Sequence, residues 1–224
     1  MSTTEGAGVE PLDDEPARGA LASHDAEPTQ RSQAKASRRE ALLAAAAELF
    51  AQRGFNGVSI EELGAAAGVS GPAVYRHFSG KQSVLAALLL DVSEELLAGG
   101  RAVVRDGGTA AATIRRLVAF HVEFALGNAD IIRVQDRDLA SMNEVDRNSV
   151  RTLQRDYVQL WVDVLGRLHP DAETVELRVQ AHAAFGLINS TPHSLRSHSR
   201  SGRATPAKIA RPVLERMALA ALLP

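Results

Sequence analysis

Apolar residues recur at intervals of three and four along most of the chain, with no strand-like alternation of useful length, which predicts an all-α protein. The first clear stripe, Leu42, Ala45, Ala46, Leu49 and Phe50, follows Ser37 and stops at Gly54. A second stripe, Ile60, Leu63, Ala66 and Ala67, is preceded by Ser59, with Glu62 three residues further on in capping-box spacing. Gly68 ends that helix, Val69 anchors the turn and Ser70 caps a third helix over 70–77, with Pro72 in its first turn and Val74 and Phe78 inward. Two short helices joined by a tight turn and crossed by a longer one predict a helix-turn-helix.

Behind it, Val84, Leu85, Leu88, Leu89, Val92 and Leu96 mark a helix over 81–98, with glycine breaks expected at 99–100 and 107–108. Thr109 opens a helix to about 126 that carries Ile114, Leu117, Val118, His121, Phe124 and Ala125 inward. A shorter helix over 130–141 and a long one over 144–168 follow, the latter with Val150, Leu153, Tyr157, Leu160, Trp161, Val164, Leu165 and Leu168 in a broad stripe. Helix 171–190 carries Val175, Val179, His182, Phe185, Gly186 and Asn189, and its small residues let another helix approach closely. Residues 190–205, rich in Ser, His, Arg and Pro, read as a mobile surface loop. In the last helix, ending near Leu223, Pro212 either introduces a kink or marks the true start. The count is nine helices, three in the helix-turn-helix unit and six behind it.

Composition sharpens the picture in four ways. Residues 1–34 hold almost no bulky apolar side chain, so they are expected to be a disordered acidic tail, ahead of a helix-turn-helix domain at 35–80 and a larger domain at 81–224. The net charge of −2 hides an asymmetry: residues 1–30 carry seven acids and one base, leaving 20 acids and 24 bases, net +4, in the rest. That balance permits nucleic-acid binding; the tail either solvates the protein or competes with DNA for its basic face. Cysteine is absent, which excludes disulfides and thiolate metal or redox sites. No long uncharged apolar run occurs and the N-terminus is acidic, so a cytoplasmic protein without a membrane span is expected. No cofactor or metal is expected either. His193 and His198 stand in a loop setting with no nearby acids and read as solvent-exposed.

The string of Phe55, Ser59-Ile60, Ala66-Ala67-Gly68-Val69-Ser70, Tyr75-Arg76-His77-Phe78 and Lys81 resembles the N-terminal signature of TetR-type transcriptional regulators over roughly residues 38–85. The resemblance implies phosphate contacts from Tyr75, His77 and Lys81, with Ser59 at the start of the second helix. It also implies a homodimer made through the last two helices, binding palindromic double-stranded DNA. Arg76 is the best candidate for base reading, because its forked donor matches guanine O6 and N7. Arg38 and Arg39 lie where an N-terminal arm approaches DNA, or else simply form a solvated helix start. Ser70, Gly71 and Ala73 complete the surface of the turn. Here the chain departs from its relatives, which often carry polar groups at Gly71-Pro72-Ala73; Ala73 offers only a methyl contact, so specificity leans on Arg76, the arm or DNA shape. Tyr75 has a second reading, packed beneath the motif.

An effector pocket is expected among Leu88, Val92, Val118, His121, Phe124, Met142, Tyr157, Trp161 and Phe185. Plain core is the competing reading for most of these, and a satisfied core histidine for His121 and His182. The segments 134–139 and 161–165 are similar to regulators of fatty-acid and sterol degradation, which implies an acyl-CoA or lipid-like effector. Three functions follow: a ligand-released repressor, or an activator using the same fold; an enzyme on a helical bundle; or an architectural DNA protein without an effector. Missing nucleophile, phosphate-loop and paired Glu-x-x-His motifs argue against an enzyme.

Overall fold

The computed structural model describes residues 30–198 and 207–223. The tail up to residue 29 and the loop at 199–206 therefore lie outside the described residues, as do the side chains of His193 and His198. The described chain folds into α1 (Gln30–Arg53), α2 (Ile60–Ala66), α3 (Gly71–Val74), α4 (Lys81–Arg105), α5 (Ala110–Gly127), α6 (Ala129–Asp138), a 3-10 turn (Leu139–Ser141), α7 (Glu144–Gly166), α8 (Thr174–His198) and α9 (Ala207–Leu222). It is all-α, with nine α-helices among the described residues.

Local chemistry accounts for the motif. Ser59 Oγ accepts from the Glu62 amide at 3.2 Å while Glu62 Oε2 accepts from the Ser59 amide at 2.8 Å, closing the capping box. Gly68, at φ +70, ends α2: the Val69 amide bonds Gly64 O at 2.8 Å and the Gly68 amide bonds Ala65 O at 3.1 Å, the two bonds of a Schellman motif. The third helix is shorter than expected. Regular α geometry stops at Val74, and the chain reaches Phe78 through bonds from Arg76 to Ala73 O and His77 to Val74 O. Ser70 occupies the N-cap position without a side-chain bond. Val74 and Phe78 nonetheless point inward.

Several boundaries move. Helix α1 begins at Gln30, inside the stretch expected to be tail, because Gln, Ala, Lys and Arg let a helix anchored at Leu42 propagate upstream. Helix α4 runs straight through Gly99-Gly100, which were expected to break it. Those glycines serve packing: a Cβ on Gly99 would lie 2.2 Å from the Phe120 ring, and one on Gly100 2.6 Å from Tyr157. The break falls instead at Gly107 and Gly108, at φ +71 and +100. Helix α8 extends to His198 with Pro192 inside it, so 190–198 is helix and not loop. Pro192 is itself buried one turn beyond Ile188 and removes one amide donor from the helix. Pro212 does not start the last helix, since α9 begins at Ala207.

Two cores form. Leu42, Phe50, Phe55, Leu63, Val74, Phe78, Leu85 and Leu89 build the first, joined by Val134, Met142 and Val150 from further along the chain. Val92, Leu117, Val118, Trp161, Leu165, Ile188 and Leu214 belong to the second. Helix α4 supplies both, so the two units share one wall rather than meeting at a linker. On α8 and α9, Val175, Val179, Ile209 and Met217 are 71, 62, 57 and 48 % exposed. Val175 and Val179, on the helix expected over 171–190, thus face outward, and the buried stripe of α8 is Leu177, Ala181, Ala184 and Ile188.

Candidate nucleic-acid interface and effector cavity

The end of the helix-turn-helix presents the candidate DNA residues unevenly. Tyr75 is 57 % exposed, which removes the reading that packs it beneath the motif. Arg76, Arg38 and Ser70 are exposed, while Gly71, Ala73 and His77 are half-buried. Three others carry internal bonds. Ser59 is the cap just described. Lys81 Nζ donates to Val58 O at 2.8 Å and lies 4.5 Å over the Phe55 ring. Arg39 pairs with Asp91 at 2.8 Å and covers the Phe78 ring at 5.7 Å. The capping-box carboxylate is also tied to Arg53 at 2.7 Å. The Ser59 amide and then Arg53 hold Glu62 well below the usual range, at about 2. Arg38, Tyr75 and Arg76 therefore keep their polar ends free to approach DNA, whereas Arg39 and Lys81 first brace the fold.

The candidate effector residues divide between the cores. Leu88 and Met142 belong to the first core, because apolar spacing reports burial but not which core receives a side chain. Val118 and Trp161 are fully buried in the second. Val92, His121, Phe124 and Tyr157 do line a common cavity, with Leu96, Ile131, Ile132 and Leu153. Its polar lining, Ser93, Gln135, Gln154 and Asn189, escaped the sequence reading because such residues on a helix face usually meet solvent. Phe185 does not line it, but packs 4.7 Å from His121 and 4.9 Å from Trp161. His182 is exposed on α8.

His121 is the polar centre of this cavity. Its Nδ1 is 3.1 Å from the Tyr157 hydroxyl and its Nε2 is 3.1 Å from Asn189 Oδ1. An amide oxygen only accepts, so Nε2 carries the proton and Tyr157 donates to Nδ1. Burial pushes the imidazole down to about 4, which keeps it neutral, and pushes the Tyr157 hydroxyl up. The cavity encloses about 40 Å³, room for a few waters and far below the several hundred Å³ of an ordinary ligand pocket.

Outside it lies a cleft of about 560 Å³ between α7 and α8, lined by Arg151, Arg155, Arg178 and His182 together with Asn148, Thr152, Gln154 and Val158. Among the described residues no carboxylate lines it. Gln154 borders both spaces, so an apolar cavity and a basic cleft share one side chain as their partition. Among the described residues no group of three or more His, Asp or Glu stands close enough to hold a metal, and no helix is long and apolar enough to cross a membrane.

A capped helix-turn-helix resting on a larger helical domain defines a DNA-binding transcriptional regulator. Residues 42–88 match the family model "Bacterial regulatory proteins, tetR family", and residues 107–221, about half the chain, match "Tetracyclin repressor-like, C-terminal domain". The chain belongs to the TetR family, whose members are regulators and not enzymes. It is 27 % identical over 139 residues to the HTH-type transcriptional repressor KstR2 of Rhodococcus jostii, covering 62 % of this chain and 68 % of that one. A TetR-family regulator from Bordetella parapertussis shares the fold at a TM-score of 0.70, with 23 % identity, over 81 % of this chain and 93 % of that chain. FadR of Bacillus subtilis in complex with stearoyl-CoA superposes at a TM-score of 0.61 with 16 % identity, over 81 % of this chain and 98 % of that chain.

Proposed function

We propose that the protein is a cytoplasmic repressor that binds a palindromic operator as a homodimer and is released by an amphiphilic acyl effector, with an acyl-CoA as the leading candidate. The observation that carries the effector class is the adjacency of the apolar cavity beside His121 and Tyr157 to the basic cleft of Arg151, Arg155 and Arg178. An acyl chain entering past Gln154 leaves a phosphate-bearing head among the arginines, whose forked donors suit phosphate. The solved complex of the Bacillus FadR with stearoyl-CoA and the repressor role of KstR2 support the same reading. Residues 35–80 serve as the DNA-binding domain, with Tyr75, Arg76 and Arg38 at the duplex. Residues 81–224 hold effector and partner, the partner covering Val175, Val179, Ile209 and Met217.

The effector acts by binding the released conformation more tightly than the DNA-bound one. The cavity's small volume fits that logic, since an acyl chain enters only if its walls move. A duplex selected by the protein from random DNA provides the test, titrated with palmitoyl-CoA, palmitate and free coenzyme A. Release by palmitoyl-CoA at concentrations where neither fragment acts is the expected result. Equal affinity for selected and random duplexes would point to the architectural alternative; release by palmitate alone would leave the basic cleft without a role.

A further inference from the structure

Helix α6 touches both halves of the molecule. Ile131, Ile132 and Gln135 line the cavity, while Val134 is buried in the first core and Ile131 packs against it as well. At its C-terminal end the adjacent residues Arg137 and Asp138 reach across to the end of α1. The Arg137 guanidinium donates to the carbonyls of Phe50 and, at 3.4 Å, Ala51, and its Nη2 lies 2.9 Å from Asp138 Oδ2. The same Asp138 oxygen accepts from the amide of Phe55 at 3.2 Å. Gly54, at φ +81, turns the chain between these partners beside the guanidinium.

This network holds both sides of one turn. Phe50 O already accepts from the Gly54 amide at 2.8 Å, and Arg137, 86 or 87 residues further along the chain, adds a second donor to it and reaches Ala51 O, one of the last carbonyls of a helix, which have no partner within it. The Asp138 side chain is only 9 % exposed, so desolvation of its carboxylate is tolerable only while the Phe55 amide and Arg137 both bond it. A shift of α6 by about an ångström carries Arg137 and Asp138 together and stretches the bonds to Ala51 O and from the Phe55 amide, at 3.4 and 3.2 Å, beyond hydrogen-bond range.

The remaining walls of the cavity give less readily. Helices α4, α5, α7 and α8 are 25, 18, 23 and 25 residues long and interlock around Trp161 and Leu117. Helix α6 has 10 residues and ends in a 3-10 turn.

We propose that Arg137 and Asp138 are positioning residues that pin the end of α1, and with it the helix-turn-helix, to the cavity wall, and that widening of the cavity draws α6 away and releases the pin. The proposal rests on the effector reading above, because it names how occupancy of that cavity reaches the DNA-binding face. It assigns DNA release to loss of the α6–α1 bonds.

Two arms test it. In the first, operator affinity is measured with and without palmitoyl-CoA for the wild type, Arg137→Gln and Asp138→Asn, while palmitoyl-CoA binding is followed separately by calorimetry. The expected result is a release factor of roughly tenfold or more in the wild type, reduced to about twofold or less in both variants although they still bind palmitoyl-CoA. Full release in the variants overturns the proposal. The second arm needs no effector: Leu153→Trp adds bulk inside the cavity, and amide hydrogen exchange at Phe55 is compared with exchange at Leu63 in the body of α2. Faster exchange at Phe55 alone, with weaker operator binding, supports the pin; unchanged exchange at Phe55 overturns it. If palmitoyl-CoA does not bind the wild type, the acyl reading fails, and the second arm still decides the pin. Variants that do not fold leave the decision to the same arm.

Discussion

Nδ1 of His121 lies 3.1 Å from the hydroxyl of Tyr157, and the two rings, 36 residues apart in the chain, are held in register by a second bond from His121 to Asn189. Phe124, Trp161 and Phe185 enclose the pair. A neutral imidazole is thereby locked in one tautomer inside an apolar wall.

This burial makes stability depend on pH. With His121 near 4 in the folded chain against an ordinary 6.5, the unfolded chain takes up a proton between these values that the folded chain refuses. The contribution is complete above about pH 6.5, falls as the pH drops, and flattens near pH 4. The loss is on the order of 3 kcal/mol across that window. Urea unfolding at fixed protein concentration should show this slope in the wild type and a shallower one in His121→Gln. Parallel slopes would mean that His121 is not the titrating group.

What was legible in the sequence was local. Ser59 with Glu62, and Gly68 after Ala67, specify a cap and a turn through partners within five residues, so the helix-turn-helix could be read without the rest of the chain. Gly99-Gly100 read as a break because nothing nearby reveals that Phe120 and Tyr157 approach them. Leu88 looked like a pocket residue for a similar reason: the apolar stripe on α4 serves two cores in succession, and Met142, just after the 3-10 turn, shows by its spacing that it is apolar but not that it joins the first core. Residues 175 and 179 sit on a periodic stripe of α8 just as 177, 181, 184 and 188 do, and only the packed neighbours decide which one is buried. The polar members of the cavity, Asn189 above all, acquire meaning only when His121 arrives from a distant helix.

The two glycines of α4 should respond differently to alanine. At Gly100 the new Cβ meets Tyr157, a buried ring held by His121, 2.6 Å away. Overpacking there should cost about 1–3 kcal/mol, more than the ~1 kcal/mol that alanine gains in a helix. Gly99→Ala meets the ring end of the half-buried Phe120, which can swing aside, and should be near neutral. Thermal or urea unfolding of both variants checks the contrast, and equal losses would contradict it.

On the DNA side, Arg76 and Lys81 should separate. Arg76→Ala is expected to cost roughly 1–3 kcal/mol of operator binding and to relax preference at one base per half-site. Lys81→Ala should weaken all sequences alike, and because Lys81 bonds Val58 O and covers Phe55, it should also lower stability by about 1 kcal/mol. Binding to selected and random duplexes, with unfolding curves, distinguishes them. Equal losses on both duplexes for Arg76→Ala would reduce it to a phosphate contact.

The outer face of α8 and α9 sets the last expectation. Val175 and Val179 lie one helical turn apart at 71 and 62 % exposure, and Ile209 and Met217 present two further apolar side chains on α9. Large aliphatic residues left in water on neighbouring helices mark a surface that a partner covers, and a two-fold arrangement would pair each face with its copy. Charges placed there should oppose association while leaving each chain folded, since none of the four side chains is buried in a core. The double variant Val179→Asp, Met217→Asp is therefore expected to sediment as a monomer at micromolar concentration where the wild type is a dimer, with helical content unchanged. It should also lose at least tenfold in affinity for a palindromic duplex but little for a single half-site, because only the palindrome profits from two linked motifs. A variant that remains dimeric would place the subunit interface elsewhere on the molecule.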